Sequence, residues 1–226
     1  MKNNKPSVKI EFAGKPMTLE TGSLAVQATA AVMARLGDTV VLATVVEGGK
    51  RPEIDWFPLS VDYVERLYAG GKIKGSRWVK REGRPSDEAI LAGRLIDRSI
   101  RPLFPKTFKN EVQVIVTVLS VDSENEADIL ALNAVSAALA ISRIPWNGPV
   151  AAIRMGYVED KDGGKGAYLP NPTTTEAEHS VLDIVASQTK DKTVMIETGA
   201  LQVSEAIVAR AIDPAHADSQ KMLGGH

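Results

Sequence analysis

Phe57, Leu59, Val61 and Tyr63 alternate with Pro58, Ser60 and Asp62, the two-residue period of a strand with one buried face, so residues 56–64 are predicted to form a β-strand. Pro58 places it at an edge or at a strand start, because proline has no amide hydrogen to give to a ladder. Upstream, residues 8–12 and 17–20 flank Ala13-Gly14-Lys15-Pro16 and read as a β-hairpin. Residues 26–36 and 39–46 are β-branched, partly alternating runs around Gly37-Asp38. A second hairpin is the better reading of them, although the alanines of the first run also permit a helix.

The period changes after Pro85. Ser86 is a candidate N-cap, and Asp87 and Glu88 fall in the first turn, where the helix dipole favours acids. Ile90, Leu95, Ile96 and Ile100 supply core contacts until Pro102 ends the helix. Residues 112–121 form a Val/Ile-rich strand, and residues 128–141 an Ala/Leu-rich helix too apolar to lie on a surface, so it is predicted to be central; Pro145 marks its end. Strands are predicted at 150–157, 167–169, 181–187 and 193–197, with a turn at 160–166. A last helix begins near Ser204 and packs Ile207, Val208, Ala211 and Ile212. Pro214 is expected to interrupt it, leaving residues 214–226 as a truncated or frayed helical tail. Long hairpins followed by helices interleaved with strands indicate an α+β fold. Without a short-period repeat or a low-complexity linker, one domain over residues 1–213 is expected.

Twenty-seven Lys and Arg oppose 28 Asp and Glu, a formal net charge of −1, so the chain as a whole is no polycation. Its 226 residues carry enough apolar content for a sizeable core. Cysteine is absent, which excludes disulfides, thiolate metal ligands and thiol nucleophiles and fits a reducing compartment. The opening MKNNKPSVKIEFAG lacks the apolar stretch of a signal peptide, and no run of about 18 apolar residues is present to cross a bilayer. A cytoplasmic protein with no membrane partner is expected.

Against this neutral background, Arg66, Lys72, Lys74, Arg77, Lys80, Arg81 and Arg84 crowd one stretch in which only Glu82 opposes them. Clustered cations attract phosphate oxygens at long range, and Trp78 adds a ring on which a base can stack. The same run also describes a solvated loop. In the following helix, Arg94, Arg98 and Arg101 fall at i, i+4 and i+7 and share one face. They can point together at phosphate, or pair with Asp97 as an ordinary charged surface.

Glu82-Gly83-Arg84-Pro85-Ser86-Asp87, followed by Gly93-Arg94-Leu95-Ile96-Asp97-Arg98-Ser99-Ile100-Arg101-Pro102-Leu103-Phe104-Pro105, resembles the first RNase PH-type core of the polynucleotide phosphorylase (polyribonucleotide nucleotidyltransferase) family. The similarity runs through Leu19-Glu20-Thr21-Gly22, Gln27-Ala28-Thr29-Ala30, Phe57-Pro58-Leu59 and Asn110-Glu111-Val112-Gln113-Val114, and so covers nearly the whole chain. The chain departs from the family form by one extra residue between Ser76 and Glu82. The resemblance implies an RNase PH-like (ribosomal protein S5 domain 2-like) mixed sheet with packed helices. It further implies an exoribonuclease that degrades RNA 3′ to 5′ by phosphorolysis to nucleoside diphosphates, with single-stranded RNA and inorganic phosphate as partners, Mg as cofactor, and a homotrimer around an RNA channel. DNA is not an implied partner. Within that whole, this part grips RNA, and the RNA-binding residues implied are Trp78, Lys80, Arg81, Arg84, Arg94, Arg98 and Arg101. The family's helical spacer, catalytic second core and KH and OB-type modules are not contained in these residues. The alternative is a non-catalytic RNA-binding ring subunit of an exosome-like assembly, distinguished by whether the sequence continues into a Gly-Ser-rich turn and paired aspartates. A small-molecule kinase on the related two-layer fold is disfavoured, because the glycine-rich loop is missing.

No catalytic residue and no metal ligand is expected in this chain. In the family's second core a Gly followed by serines holds phosphate, and the similar place here is Asn147-Gly148-Pro149-Val150-Ala151, which lacks hydroxyls and, at Pro149, an amide hydrogen. The second core's metal-binding aspartates stand six positions apart. Asp183 resembles the latter and Ala177 replaces the former, so Mg belongs to the second core. His179, His216 and His226 show no triad order. Gly163-Gly164-Lys165-Gly166 and Gly70-Gly71-Lys72 lack phosphate-loop spacing and read as hairpin loops, and Glu176 and Glu178 read as solvated.

Overall fold

The computed structural model describes residues 6–73, 84–160 and 166–224. The first six strands are β1 (Ser7–Phe12), β2 (Lys15–Thr21), β3 (Ala30–Leu36), β4 (Thr39–Lys50), β5 (Leu59–Val64) and β6 (Asn110–Ser120). They form one sheet in the order β1-β2-β3-β4-β6-β5, antiparallel except for the β5–β6 pair. A second, antiparallel sheet, β10-β9-β7-β8, is built from β7 (Ala151–Val158), β8 (Ala167–Pro170), β9 (Leu182–Gln188) and β10 (Thr193–Ala200). Helices α1 (Asp87–Ile100), α2 (Ala127–Ala140), the one-turn α3 (Thr174–Ala177) and α4 (Glu205–Leu223) complete the described fold. The α+β reading holds.

Both predicted hairpins form, with different edges. Phe12 pairs with Lys15 across Ala13 and Gly14, whose positive φ values of 49° and 79° belong to a tight turn that follows the strand twist. Strand β3 begins at Ala30 rather than at Val26, which is 79% exposed and has no core face to fill. Strand β5 begins after Pro58, at the sheet edge, and Pro58 accepts from the Val112 amide at 2.9 Å. Phe57 leaves the ladder and joins Phe104, Phe108 and Trp146 in an aromatic cluster.

Helix α2 is the centre of the molecule. It packs on β3 and β4 of the first sheet and on β7 of the second, and every residue from Ile129 to Leu139 is buried. Apolar residues on all sides are what a helix between two sheets requires. Its buried polar side chains are used as fasteners. Asn133 accepts from the Ala152 amide at 2.9 Å and donates to the Ala152 carbonyl at 3.1 Å, while Ser136 accepts from the Val150 amide at 3.0 Å. Asn133 thereby imitates a neighbouring strand for β7.

The start of α2 is fixed by a second knot. Asp122 accepts hydrogen bonds from the Asp38 amide, the Thr39 hydroxyl, the Glu124 and Asn125 amides and the Asn125 side chain. Burial alone would raise its pKa, but the bonds from Asn125, Glu124 and Thr39 together hold the carboxyl well below the usual range. Gly37, at φ 60°, borders this knot, and a Cβ there would stand 2.6 Å from Asp122 Oδ2.

Two expectations are corrected. Helix α4 continues through Pro214 to Leu223, so residues 214–224 are not a frayed tail. Ala211, Ala215, Ser219 and Met222 form one buried stripe along it, and the packing of α4 on β7 and β9 holds both sides of the proline. The amide that Pro214 lacks would have served the carbonyl of Arg210, an exposed residue, where water can replace it. Glu176 is not simply solvated either: it closes a capping box with Thr173 at the start of α3. No described helix is long and apolar enough to cross a membrane.

Candidate functional site

A cleft of about 1200 Å³ opens where β5, the turn Leu67–Gly70 and the first half of α1 face the start of α2 and the second sheet. Arg66, Lys72 and Arg84 lie along one side. Lys72 follows the left-handed Gly71 that caps the 3-10 turn, so Gly70-Gly71-Lys72 is a helix cap and not a hairpin loop. Arg84 precedes α1, whose N-cap is Ser86 as expected: its hydroxyl accepts from the Ala89 amide at 3.0 Å and donates to Glu65 at 2.9 Å. The opposite side holds Glu126, Asp128, Arg154, Asp183 and Glu197.

Each of these is placed by its element. Glu126 is the N-cap residue of α2 and Asp128 lies in its first turn, Arg154 projects from the middle of β7, and Asp183 stands in the adjacent strand β9. Arg154 is ion-paired with Glu126, with Asp128 at 2.9 Å and with Asp183 at 3.4 Å. Burial pushes the Asp128 carboxyl up to about 6; the Ile129 amide pulls against this, and the Asp183 and Glu197 charges add to it. Burial lowers the Arg154 guanidinium, against the pull of Asp183 and Glu197. Burial likewise raises the Tyr63 phenol at the cleft wall, with Asp128 and Glu65 adding to the shift.

A helix N-terminus is a natural anion site, but at α2 the Asp128 side chain accepts from the Ile129 amide at 2.6 Å, while Glu126 makes no side-chain cap bond and pairs with Arg154. The donor set does not suit a divalent ion either. A guanidinium already stands among the carboxylates, and among the described residues no group of three or more acids or histidines is arranged to hold a metal.

Several predicted positions are thus located. Arg84 borders the cleft. Arg94 is exposed on α1. Arg98 pairs with Glu197 at 3.4 Å. Arg101 turns inward: it pairs with Asp97 and donates to the Phe57 and Leu59 carbonyls at 3.1 Å each. Trp78, Lys80, Arg81 and the Gly163–Lys165 run lie outside the described residues.

Asn147, Gly148 and Pro149 line a separate cleft of about 510 Å³ with Lys190, Lys192 and Gln220, so they do not share a site with Asp183. The segment that meets Asp183 is Glu126–Asp128 at the start of α2, and Thr174 rather than Ala177 lines that cleft. Arg154 and Asp128 were not picked out from the sequence. The available signal was a single arginine inside the otherwise apolar AAIRMGYV strand.

Two family models match the chain: 3′ exoribonuclease family, domain 1, over residues 13–145, and domain 2 of the same family over residues 148–218. The polyribonucleotide nucleotidyltransferase of Caldicellulosiruptor bescii is 50% identical over 216 residues, covering 95% of this chain and 30% of that protein. The protein of the same name from Thermus thermophilus is 47% identical over 215 residues, 95% of this chain and 29% of its own length. The chain therefore spans about 30% of the length of the curated relatives it matches. The crystal structure of rice (Oryza sativa) Rrp46 superposes with a TM-score of 0.71 over 92% of this chain and 91% of that one, at 16% identity, a likeness of fold.

Proposed function

The chain belongs to the 3′ exoribonuclease family, and on that premise we propose that it is the RNA-gripping first core of a polyribonucleotide nucleotidyltransferase, itself without catalytic activity. In the whole enzyme, a phosphate oxygen attacks the last phosphodiester phosphorus at the RNA 3′ end. The bond to the penultimate 3′ oxygen breaks, and a nucleoside diphosphate leaves. That chemistry, and the Mg it uses, belong to the second core. This part supplies the hold on single-stranded RNA within a cytoplasmic homotrimer, through Arg84 at the cleft, Arg94 and Arg98 on α1, and Trp78, Lys80 and Arg81 in the basic stretch of sequence before it.

The observation that carries the non-catalytic reading is the occupied start of α2. Asp128 takes the Ile129 amide that an incoming phosphate would need, and the like charge of Glu126 and Asp128 opposes its entry. Basic Arg66, Lys72 and Arg84 on the facing side support a nucleic-acid path along the cleft rather than a reaction at its floor. The test is incubation of the pure chain with poly(A), phosphate and Mg while ADP is followed. No ADP release is expected. Robust release abolished by Asp183→Ala would overturn the reading.

A further inference from the structure

Arg154 enters the cleft from a strand in which it is the only charged residue. Its Nη1, Nη2 and Nε face three carboxylates, those of Glu126, Asp128 and Asp183 respectively. Nε is buried and has no hydrogen-bond partner, so its placement follows charge rather than a satisfied donor. The carboxylates come from two elements, the start of α2 and strand β9, which are not adjacent in sequence. Three negative charges brought together at a half-buried site repel one another unless a cation stands among them.

We propose that the Arg154 guanidinium takes the place of a divalent cation between the start of α2 and β9, which makes the floor of this cleft independent of metal. The shape of the group fits the task. A planar guanidinium directs donors along several edges at once, one for each acid, where an ammonium would offer a compact point charge. It also cannot be deprotonated or lost to solvent. By standing among the carboxylates it offsets the repulsion between them. Removing it leaves three uncompensated carboxylates, oxygen ligands of the kind hard divalent ions take. This inference concerns the carboxylates alone and does not depend on RNA binding.

The experiment compares wild type, Arg154→Ala, the bulkier Arg154→Gln, and each of these combined with Asp183→Asn, with and without added Mn²⁺. Thermal midpoint and the electron paramagnetic resonance signal of free Mn²⁺ are read for every protein, and refolding yield is read for any variant that does not purify folded. Wild type is expected to show no Mn²⁺ effect that depends on Asp183. The two arginine variants are expected to lose thermal midpoint, to recover part of it or of their refolding yield with Mn²⁺, and to deplete the free-ion signal. Adding Asp183→Asn is expected to abolish these gains. An Asp183-dependent Mn²⁺ effect in wild type overturns the proposal, and so does its absence from both arginine variants.

Discussion

Asp97 and Arg101, one helical turn apart on α1, share two hydrogen bonds, from Nε to Oδ1 at 2.7 Å and from Nη2 to Oδ2 at 2.6 Å. The pair aims the remaining guanidinium donors at the Phe57 and Leu59 carbonyls, on the two sides of Pro58 where β5 begins. Hydrogen bonding to Asp97 raises the Arg101 pKa against the opposing effect of burial. Of the three arginines on this helix, Arg101 is the one that ties α1 to the edge of the first sheet.

Arg101→Ala should therefore destabilise the fold, while Arg94→Ala should not. Hydrogen bonds to charged groups contribute roughly 1.5–3 kcal/mol each, and the 39% exposure of the Arg101 side chain argues for the lower end, about 1–2 kcal/mol in total. Arg94 is exposed, and its removal should stay within about 0.5 kcal/mol. Urea unfolding of both variants checks the contrast. Equal midpoints would mean that the inward bonds of Arg101 contribute nothing.

Asn133→Leu should be costly although leucine shares asparagine's branching at Cγ. The substitution leaves the Ala152 amide and carbonyl facing an apolar side chain, at about 1–3 kcal/mol for each buried group left unpaired. Hydrogen exchange should locate the damage: the Ala152 amide is expected to lose protection before the rest of β7. Protection equal to wild type would show that α2 does not fasten the second sheet through Asn133.

The parts of this fold set by local chemistry were legible in the sequence. Ser86, Asp87 and Glu88 start α1 as read, and the apolar run of α2 marked it as central, as it is. What the sequence did not reveal depends on partners distant along the chain. Pro214 looks like a helix breaker until the buried stripe from Ala211 to Met222 is seen packed on the second sheet. Residues 147–151 matched a Gly-containing turn in sequence, yet the topology brings Glu126 and Asp128, not that turn, to Asp183. Arg101 fits an arginine face by spacing, and only the backbone of Phe57 and Leu59 explains its inward turn.

The Asp122 knot predicts an acid limb in the stability profile. Its carboxyl titrates below the unfolded value of about 3.9, so the unfolded chain binds the proton first as pH falls. The contribution is fully present above the unfolded value and is lost as pH drops through the lower folded one. Asp122→Asn should flatten that limb and lower stability at neutral pH. Gly37→Ala should lower it too, since its Cβ would press on Asp122 Oδ2 at a left-handed backbone position. Unfolding midpoints measured from neutral pH down to about pH 3 decide the matter; an unchanged acid limb in Asp122→Asn would assign it to other carboxylates.

RNA affinity across a salt series separates the two kinds of contact proposed for the basic stretch and the cleft. A cation that meets a phosphate releases counterions, so Arg84→Ala and Arg81→Ala should each reduce the slope of log affinity against log salt by about 0.7 on a single strand. A ring that stacks on a base releases none. Trp78→Ala should therefore lose roughly 1–3 kcal/mol of binding while leaving the slope nearly unchanged. Arg98 provides an internal comparison, because its pairing with Glu197 at 3.4 Å already offsets its charge, and Arg98→Ala should change the slope less than Arg84→Ala. The measurement is made on the proposed homotrimer, with its assembly verified first. If Arg81→Ala, Arg84→Ala and Trp78→Ala all keep wild-type affinity and slope in a verified trimer, the basic stretch is a solvated surface, and the grip on RNA must come from another face of the chain.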